Sequence, residues 1–201
     1  MVKRTLFGAL FVVVILIAVS FTFFVVTNRS KTTSDNSHST ELQTREFLSK
    51  EFTFKYSAED LKPEILTDID IKDGFVFRAK GNNIDKPILI TVRTEDATKS
   101  VKAATVLKKD ILEMLLDNAR KLYPGRYGSF KELSSKNTLI GNKDGREFVF
   151  TYKNKEGTVI TQYLYLVTNN QKIYYIVFQN IQPNHFQSIL QGIINSITFI
   201  S

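Results

Sequence analysis

The chain contains no cysteine, and that absence removes disulfides, thiolate metal sites, a cysteine nucleophile and a lipidated N-terminal cysteine together. Histidine is scarce as well: His38 and His185 are the two present. His38 stands alone in polar chain and reads as solvated. His185 lacks a second histidine or a nearby carboxylate cluster, so a polar position in the first turn of a helix explains it better than a metal site. No G-x-S-x-G elbow occurs, and no histidine is placed as a base for a serine. Hydrolase chemistry is not indicated. Charge of one sign is only mildly in excess, 27 Lys+Arg against 20 Asp+Glu for a net +7, and it is spread along the chain. That is too diffuse for a nucleic-acid footprint. It suits weak attraction to an anionic membrane surface or cell envelope, and a solvated surface explains it equally well.

What the chain does have is an uncharged run of about 22 residues from Thr5 to Val26, directly behind Lys3 and Arg4. As a helix rising roughly 1.5 Å per residue, this length crosses the ~30 Å hydrocarbon core of a bilayer. Roughly sixteen of its residues are Leu, Ile, Phe or Val, each favouring insertion by about 0.3–0.6 kcal/mol at the helix centre. The hydroxyls of Thr5, Ser20 and Thr22 can return to backbone carbonyls, so their polar cost is small. Lys3 and Arg4 keep the N-terminus inside, which predicts a cytoplasmic tip and signal-anchor over 1–26 with everything later outside the cell membrane. A cleaved secretory signal is the competing reading, with small residues at Ala18 and Ser20 in suitable spacing. Phe21, Phe23, Phe24, Val25 and Val26 speak against it, because a cleavage site normally gives way to polar chain. Either way the rest of the protein is exported.

Residues 27–49 are rich in Ser, Thr, Asn and charge and nearly free of apolar residues before Phe47. They read as a flexible tether, unable to bury enough surface to offset ordering. Asn28-Arg29-Ser30 matches a glycosylation acceptor but abuts the membrane run, so a plain polar tether is preferred.

From residue 50 to 201 the pattern is that of one domain with an apolar core. Phe52, Phe54 and Tyr56 alternate with polar residues, and Phe75-Val76-Phe77 and Ile88 to Val92 are aromatic or β-branched runs, all predicting strands. Asp96 to Leu122 predicts a helix capped by Thr98 or Ser100. Its stripe is Ala104, Leu107, Ile111, Met114, Leu115 and Leu122, and Pro124-Gly125 stops it. Strands are predicted near 130–140, 146–152, 159–167 and 173–179, joined by turns at 142–145, 154–157 and Asn169-Asn170. A helix opening with Pro183 and a closing strand from Ile197 to Ile200 complete the chain. Tyr174 to Phe178 is apolar on both faces and needs cover on both. The expected class is therefore α+β: an antiparallel sheet of about six or more strands between helical layers, preceded by one transmembrane helix.

The stretch LIGNKDGREFVFTYKNKEGTVITQYLYLVTNNQKIYYIVFQ, with the helix and SITF ending after it, resembles the PsbP-like domains. That family takes in the oxygen-evolving subunit of photosystem II, DcrB-type envelope proteins and the Mog-like fold. The resemblance spans roughly Lys50 to Ser201 and rests on element order and apolar pattern. Phe52-x-Phe54-x-Tyr56 fits the family's opening strand, although Ser57 stands where proline is usual. It implies an α/β/α arrangement and a structural, assembly or binding role, since the family is not defined by a shared catalytic site. Photosynthetic members influence retention of manganese, calcium and chloride, but no stretch here carries such ligands, and no cofactor is assigned.

Asp68 to Gly74 has the look of a calcium loop but fails it, with Lys72 at the fifth position, Asp73 at the glycine position and no glutamate at the twelfth. An exposed strand ending in a turn is expected instead. The candidate partner-binding surface is Arg120, Lys121, Tyr123, Arg126, Tyr127 and Lys131, where cations interleave with aromatics after a helix. A plainer account is that the cations answer the helix dipole while the aromatics pack its end. The Tyr163/Tyr165 face is a weaker candidate, because a covering helix would bury it. Two functional readings from different classes follow: an anchored, non-catalytic module docking a protein or envelope component outside the membrane, or an extracytoplasmic enzyme or metal-dependent factor with an unrecognised site. A ligand sensor is a third, weaker reading, since Met1 to Arg4 leaves no room for an output domain.

Overall fold

Ten strands and four helices make up the described residues of the computed structural model, which are 44–82, 87–107, 110–181 and 183–200. They belong to one unit, Leu42–Ser201. The expected membrane run from Thr5 to Val26, Asn28 and His38 lie outside the described residues. Among those described, no helix is long and apolar enough to cross a membrane.

A seven-stranded sheet forms the centre, in the order β3(Leu61–Pro63), β4(Phe75–Gly81), β5(Ile88–Asp96), β9(Lys172–Asn180), β8(Val159–Asn169), β7(Lys143–Lys153), β6(Gly128–Ile140). Every neighbouring pair is antiparallel. A second sheet of three strands joins β1(Thr44–Leu48), β2(Phe52–Ser57) and β10(Thr198–Phe199). Strand alternation sorts the side chains. Val149, Tyr163, Tyr165, Val167, Tyr174, Ile176 and Phe178 face Phe52, Phe54 and Tyr56 of the small sheet and Phe186, Leu190, Ile193 and Ile194 of α4(Pro183–Ser196). Phe148 and Phe150 point the other way, towards α3(Ile111–Arg126), whose Tyr123 ring lies 5.1 Å from that of Phe150. The central strands are thus apolar on both sides because both sides are covered. The expected antiparallel α+β sheet holds, with a small sheet sharing one layer with α4.

Several local expectations are corrected. β1 lies inside the stretch read as a tether. Its one partly buried residue is Phe47, whose ring meets those of Phe52, Phe54 and Phe77 at 5.6, 5.1 and 4.9 Å. Those partners come from β2 and β4, so the local composition could not reveal the strand. Asp68 to Lys72 is a helix, α1, and not an exposed strand. Thr67 caps it: its Oγ1 accepts from the Asp70 N–H at 3.2 Å, while Asp70 Oδ2 accepts from the Thr67 N–H at 2.9 Å. Arg78 Nη2 donates to the other Asp70 oxygen at 2.5 Å.

The single expected helix over Asp96 to Leu122 is two, α2(Thr98–Leu107) and α3. Asp110 restarts the chain as an N-cap, accepting from the Glu113 N–H at 3.0 Å. The break shifts the phase. Leu112, Leu115, Leu116, Ala119 and Tyr123 are buried, whereas Leu122 is exposed. Pro124 does not stop α3, which runs on to Arg126 with Tyr127 N–H donating to Tyr123 O at 2.8 Å. Proline costs the helix one donor, and the packed tyrosines hold its last turn.

The first hairpin turns at Gly141-Asn142, both at positive φ, one step before the expected 142–145. Gly145 sits inside β7, where a Cβ would come within 2.8 Å of both Ile140 Cδ1 and Leu166 O. The third turns at Asn170-Gln171 because Asn169 pairs with Lys172.

Glu51 joins the small sheet to β9: the Lys172 ammonium and the Tyr174 hydroxyl both donate to its carboxylate. The Lys172 hydrogen bond is the main cause holding the Glu51 carboxyl below its ordinary 4.5, against the opposing effect of burial. A carboxyl whose folded pKa lies below its unfolded one stabilises fully above the unfolded value and loses that contribution as pH falls through the folded one. Stability should therefore decline as the pH drops below 4.5. Urea midpoints measured down that range should fall less steeply for Glu51→Gln, and equal slopes would remove Glu51 from the acid response.

Candidate functional site

The sequence-predicted set of six residues is divided by the fold. Arg120 turns from α3 onto β6, where its Nε and Nη2 donate to the two carboxylate oxygens of Glu132, each at 3.1 Å. Its Nη1 reaches Glu113 at 3.2 Å and Asp117 at 3.4 Å, and its guanidinium lies 5.5 Å from the Phe148 ring centre. Glu132, first among these partners, raises the Arg120 pKa. This side chain pins α3 to β6.

Tyr123 is buried, and its ring sits 5.3 Å from Tyr127 and 6.1 Å from Phe130. Tyr127 in turn packs on Tyr152 with ring centres 4.4 Å apart. Burial pushes both Tyr123 and Tyr127 hydroxyls up in pKa, so they stay neutral. The aromatic half of the expected surface is thus the seal between the end of α3 and the sheet. Lys121, Arg126 and Lys131 are exposed. Lys131 pairs across from Thr151, two residues from Val149 and so on the α4 side, while Glu132 pairs across from Phe150 on the α3 side. The fold thus places the exposed cations Lys121, Arg126 and Lys131 apart from the packed Tyr123 and Tyr127. Tyr163 and Tyr165 are both buried, as a covering layer requires, and Tyr165 donates to Glu147 at 2.8 Å.

Two buried polar groups were not visible in the sequence, because each is assembled across strands. Gln179 Nε2 donates to Gln162 Oε1 at 2.7 Å and to the Tyr152 hydroxyl at 3.2 Å. Tyr175 donates to Glu95 at 2.5 Å, Arg93 Nη2 lies 3.3 Å from the same carboxylate, and Arg93 Nε donates to Asp73 O at 2.8 Å. Burial raises the Glu95 pKa, opposed by the Tyr175 hydrogen bond and the Arg93 charge. Every charged group of this cluster has a partner within it, which fits a structural clasp between β5, β9 and the turn before β4. Among the described residues no three His, Cys, Asp or Glu side chains gather in a metal-binding group.

One exposed feature among the described residues is β6 itself. It ends the large sheet, and every residue from Lys131 to Asn137 is exposed, as is Leu139. Its register against β7 slips twice between Gly128 and Ser134 and then runs one to one from Ser134↔Val149 to Ile140↔Lys143. Arg126 ends α3 two residues before this strand begins. The other edge of the sheet, β3, has three residues and ends in Pro63.

Comparison with solved structures defines the class of fold. LpqN of Mycobacterium tuberculosis, described as involved in cell envelope biogenesis, matches with a TM-score of 0.51 at 8% identity, over 79% of this chain and 92% of that one. The cyanobacterial PsbP of Synechocystis, CyanoP, matches at 0.50 and 8%, over 83% and 98%. A Bacteroides thetaiotaomicron protein matches at 0.52 and 14%, over 79% of this chain, which spans about half of that protein's length (49%). The fold is PsbP-like. No protein-family model matches the chain, and no curated protein matches its sequence.

Proposed function

We propose that this protein is a single-pass, membrane-anchored, non-catalytic module whose PsbP-like domain docks a protein or envelope component outside the cell membrane. The carrying observation is the membrane-length apolar run Thr5–Val26 behind Lys3 and Arg4, followed by a chain that leads into a separate domain. The anchor confines the domain to the bilayer surface, and confinement raises the effective concentration for anything else held there. The ion pairs of Arg120, Arg93 and Arg78 go to acids of the same domain, which accounts for them structurally. A role of LpqN in envelope biogenesis is compatible with this reading, at the level of fold alone.

Mild crosslinking in the native membrane, followed by purification of the full chain, should recover a discrete partner. Intact-mass measurement of the same preparation should find Thr5–Val26 retained. A mature chain beginning at Phe21 would overturn the anchor, and tight metal or turnover in the purified chain would overturn the non-catalytic role.

A further inference from the structure

We infer that the β6 edge from Ser134 to Leu139 accepts an extended, acidic segment of a partner protein as an added antiparallel strand. This rests on the binding-module reading above and names the surface and the chemistry it would use. A terminal strand presents alternate backbone N–H and C=O groups outward, a ready template for another strand. Folded proteins usually blunt such an edge by shortness, charged side chains (lysine above all), proline or bulges. This sheet does so at one side, where β3 is three residues long and closes on Pro63. It does so again in the first half of β6, where the register slips. From Ser134 to Ile140 there is no proline and no register slip, the pairing is regular, and the one charged residue, Lys136, is drawn to Glu147 at 3.2 Å. Ser134, Ser135, Asn137 and Thr138 are small polar residues that tolerate many neighbours, and Leu139, 66% exposed, offers one apolar contact.

Charge decides the kind of strand. Residues 121–153 carry seven Lys or Arg against three Asp or Glu. Of those acids, Glu132 is engaged by Arg120 and Glu147 by Lys136 and the Tyr165 hydroxyl. Among the described residues no acid pairs with Lys121, Lys131 or Lys153, all exposed. Arg146 of β7 is answered by Asp110 and Glu113 of α3. The unanswered Lys131 and Lys153 lie at the Gly128 end of the hairpin, where Lys131 pairs across from Thr151 and Lys153 from Gly128. An acidic strand laid on 134–139 would meet them as it runs past Ser134. A second copy of this chain would bring the same surplus against itself, which disfavours pairing of β6 with β6.

The test uses the full chain in detergent and short fluorescein-labelled peptides: one alternating Glu with Thr, one alternating Lys with Thr, and a Glu peptide with proline at every third position. Anisotropy should show the Glu–Thr peptide binding about tenfold tighter than the Lys–Thr peptide. The proline peptide, which cannot form a ladder, should bind as weakly as the Lys–Thr one. Deuterium uptake should fall over residues 134–140, and Lys131→Glu with Lys153→Glu should lower affinity by about fivefold with the circular dichroism spectrum unchanged. Equal binding of the proline peptide would reduce the effect to charge alone and overturn strand addition. Protection elsewhere, no binding of the acidic peptide, or a concentration-dependent dimer that protects 134–140 and resists the peptide would overturn it too. If the native-membrane partner is captured equally by the doubly substituted chain, the edge is excluded while the module reading stands. Loss of that reading through cleavage at Phe21 would leave the peptide result intact.

Discussion

Phe54→Ala should lower the unfolding free energy by about 3–5 kcal/mol, the usual cost of emptying a fully buried phenylalanine site. Phe54 is 1% exposed and joins the two sheets. Its ring stands edge-on to Phe77 of β4 at 4.9 Å and lies 5.1 Å from Phe47 and 6.1 Å from Phe52. Removing it takes away transferred apolar area and leaves a cavity whose walls belong to three strands, so collapse onto it is resisted. In a domain of this size the melting temperature should drop on the order of 10 °C. Ile65→Ala is the matched control, because Ile65 is 96% exposed and such a surface change should stay within about 0.5 kcal/mol. Similar losses for both variants, measured by calorimetry, would mean that the aromatic contact between the sheets does not carry the stability assigned to it.

Gly74→Ala should cost about 2–4 kcal/mol, from two separate sources. Gly74 has φ +84°, which an L-residue adopts only at a penalty. Its missing Cβ would also stand 2.3 Å from the carbonyl oxygen of Thr94, which is backbone and cannot swing away. The approach is part of the structure, since Thr94 N–H donates to Gly74 O at 2.8 Å and so closes β4 onto β5 beside the Arg93–Asp73 hydrogen bond. Gly157→Ala separates the two costs: its φ is +81° but nothing lies within 4 Å of a Cβ there. That variant should lose only the backbone part, about 1–2 kcal/mol. Equal losses at the two positions in urea unfolding would show that the close approach to Thr94 contributes nothing.

The elements legible in the sequence were those whose pattern is local. Phe52, Phe54 and Tyr56 alternate inward as read, Tyr174 to Phe178 is covered on both faces, and α4 begins at Pro183. Misread elements depend on distant partners. β1 exists because Phe47 enters an aromatic cluster built by other strands; α1, by contrast, carries a local signal in the Thr67–Asp70 capping box and is held besides by Arg78. At the candidate surface, Arg120 looked like a cation answering a helix dipole, but β6 brings Glu132 beneath it. Tyr123 and Tyr127 pack the helix end against Phe150 and Tyr152, as the plainer reading of the sequence held.

By itself, the sequence determined an α+β domain with no cysteine chemistry and a preceding apolar run of membrane length. Composition and hydrophobic period act within a few residues and need no knowledge of the fold. Only the tertiary structure decided which strands meet and which strand ends the sheet. β5 skips past two helices and three strands to pair with β9, and that choice leaves β6 at the edge. Pairing of this kind is a competition among distant segments for the same backbone donors and acceptors and the same buried faces. No local window records its outcome, and the exposure of β6 is a consequence of it.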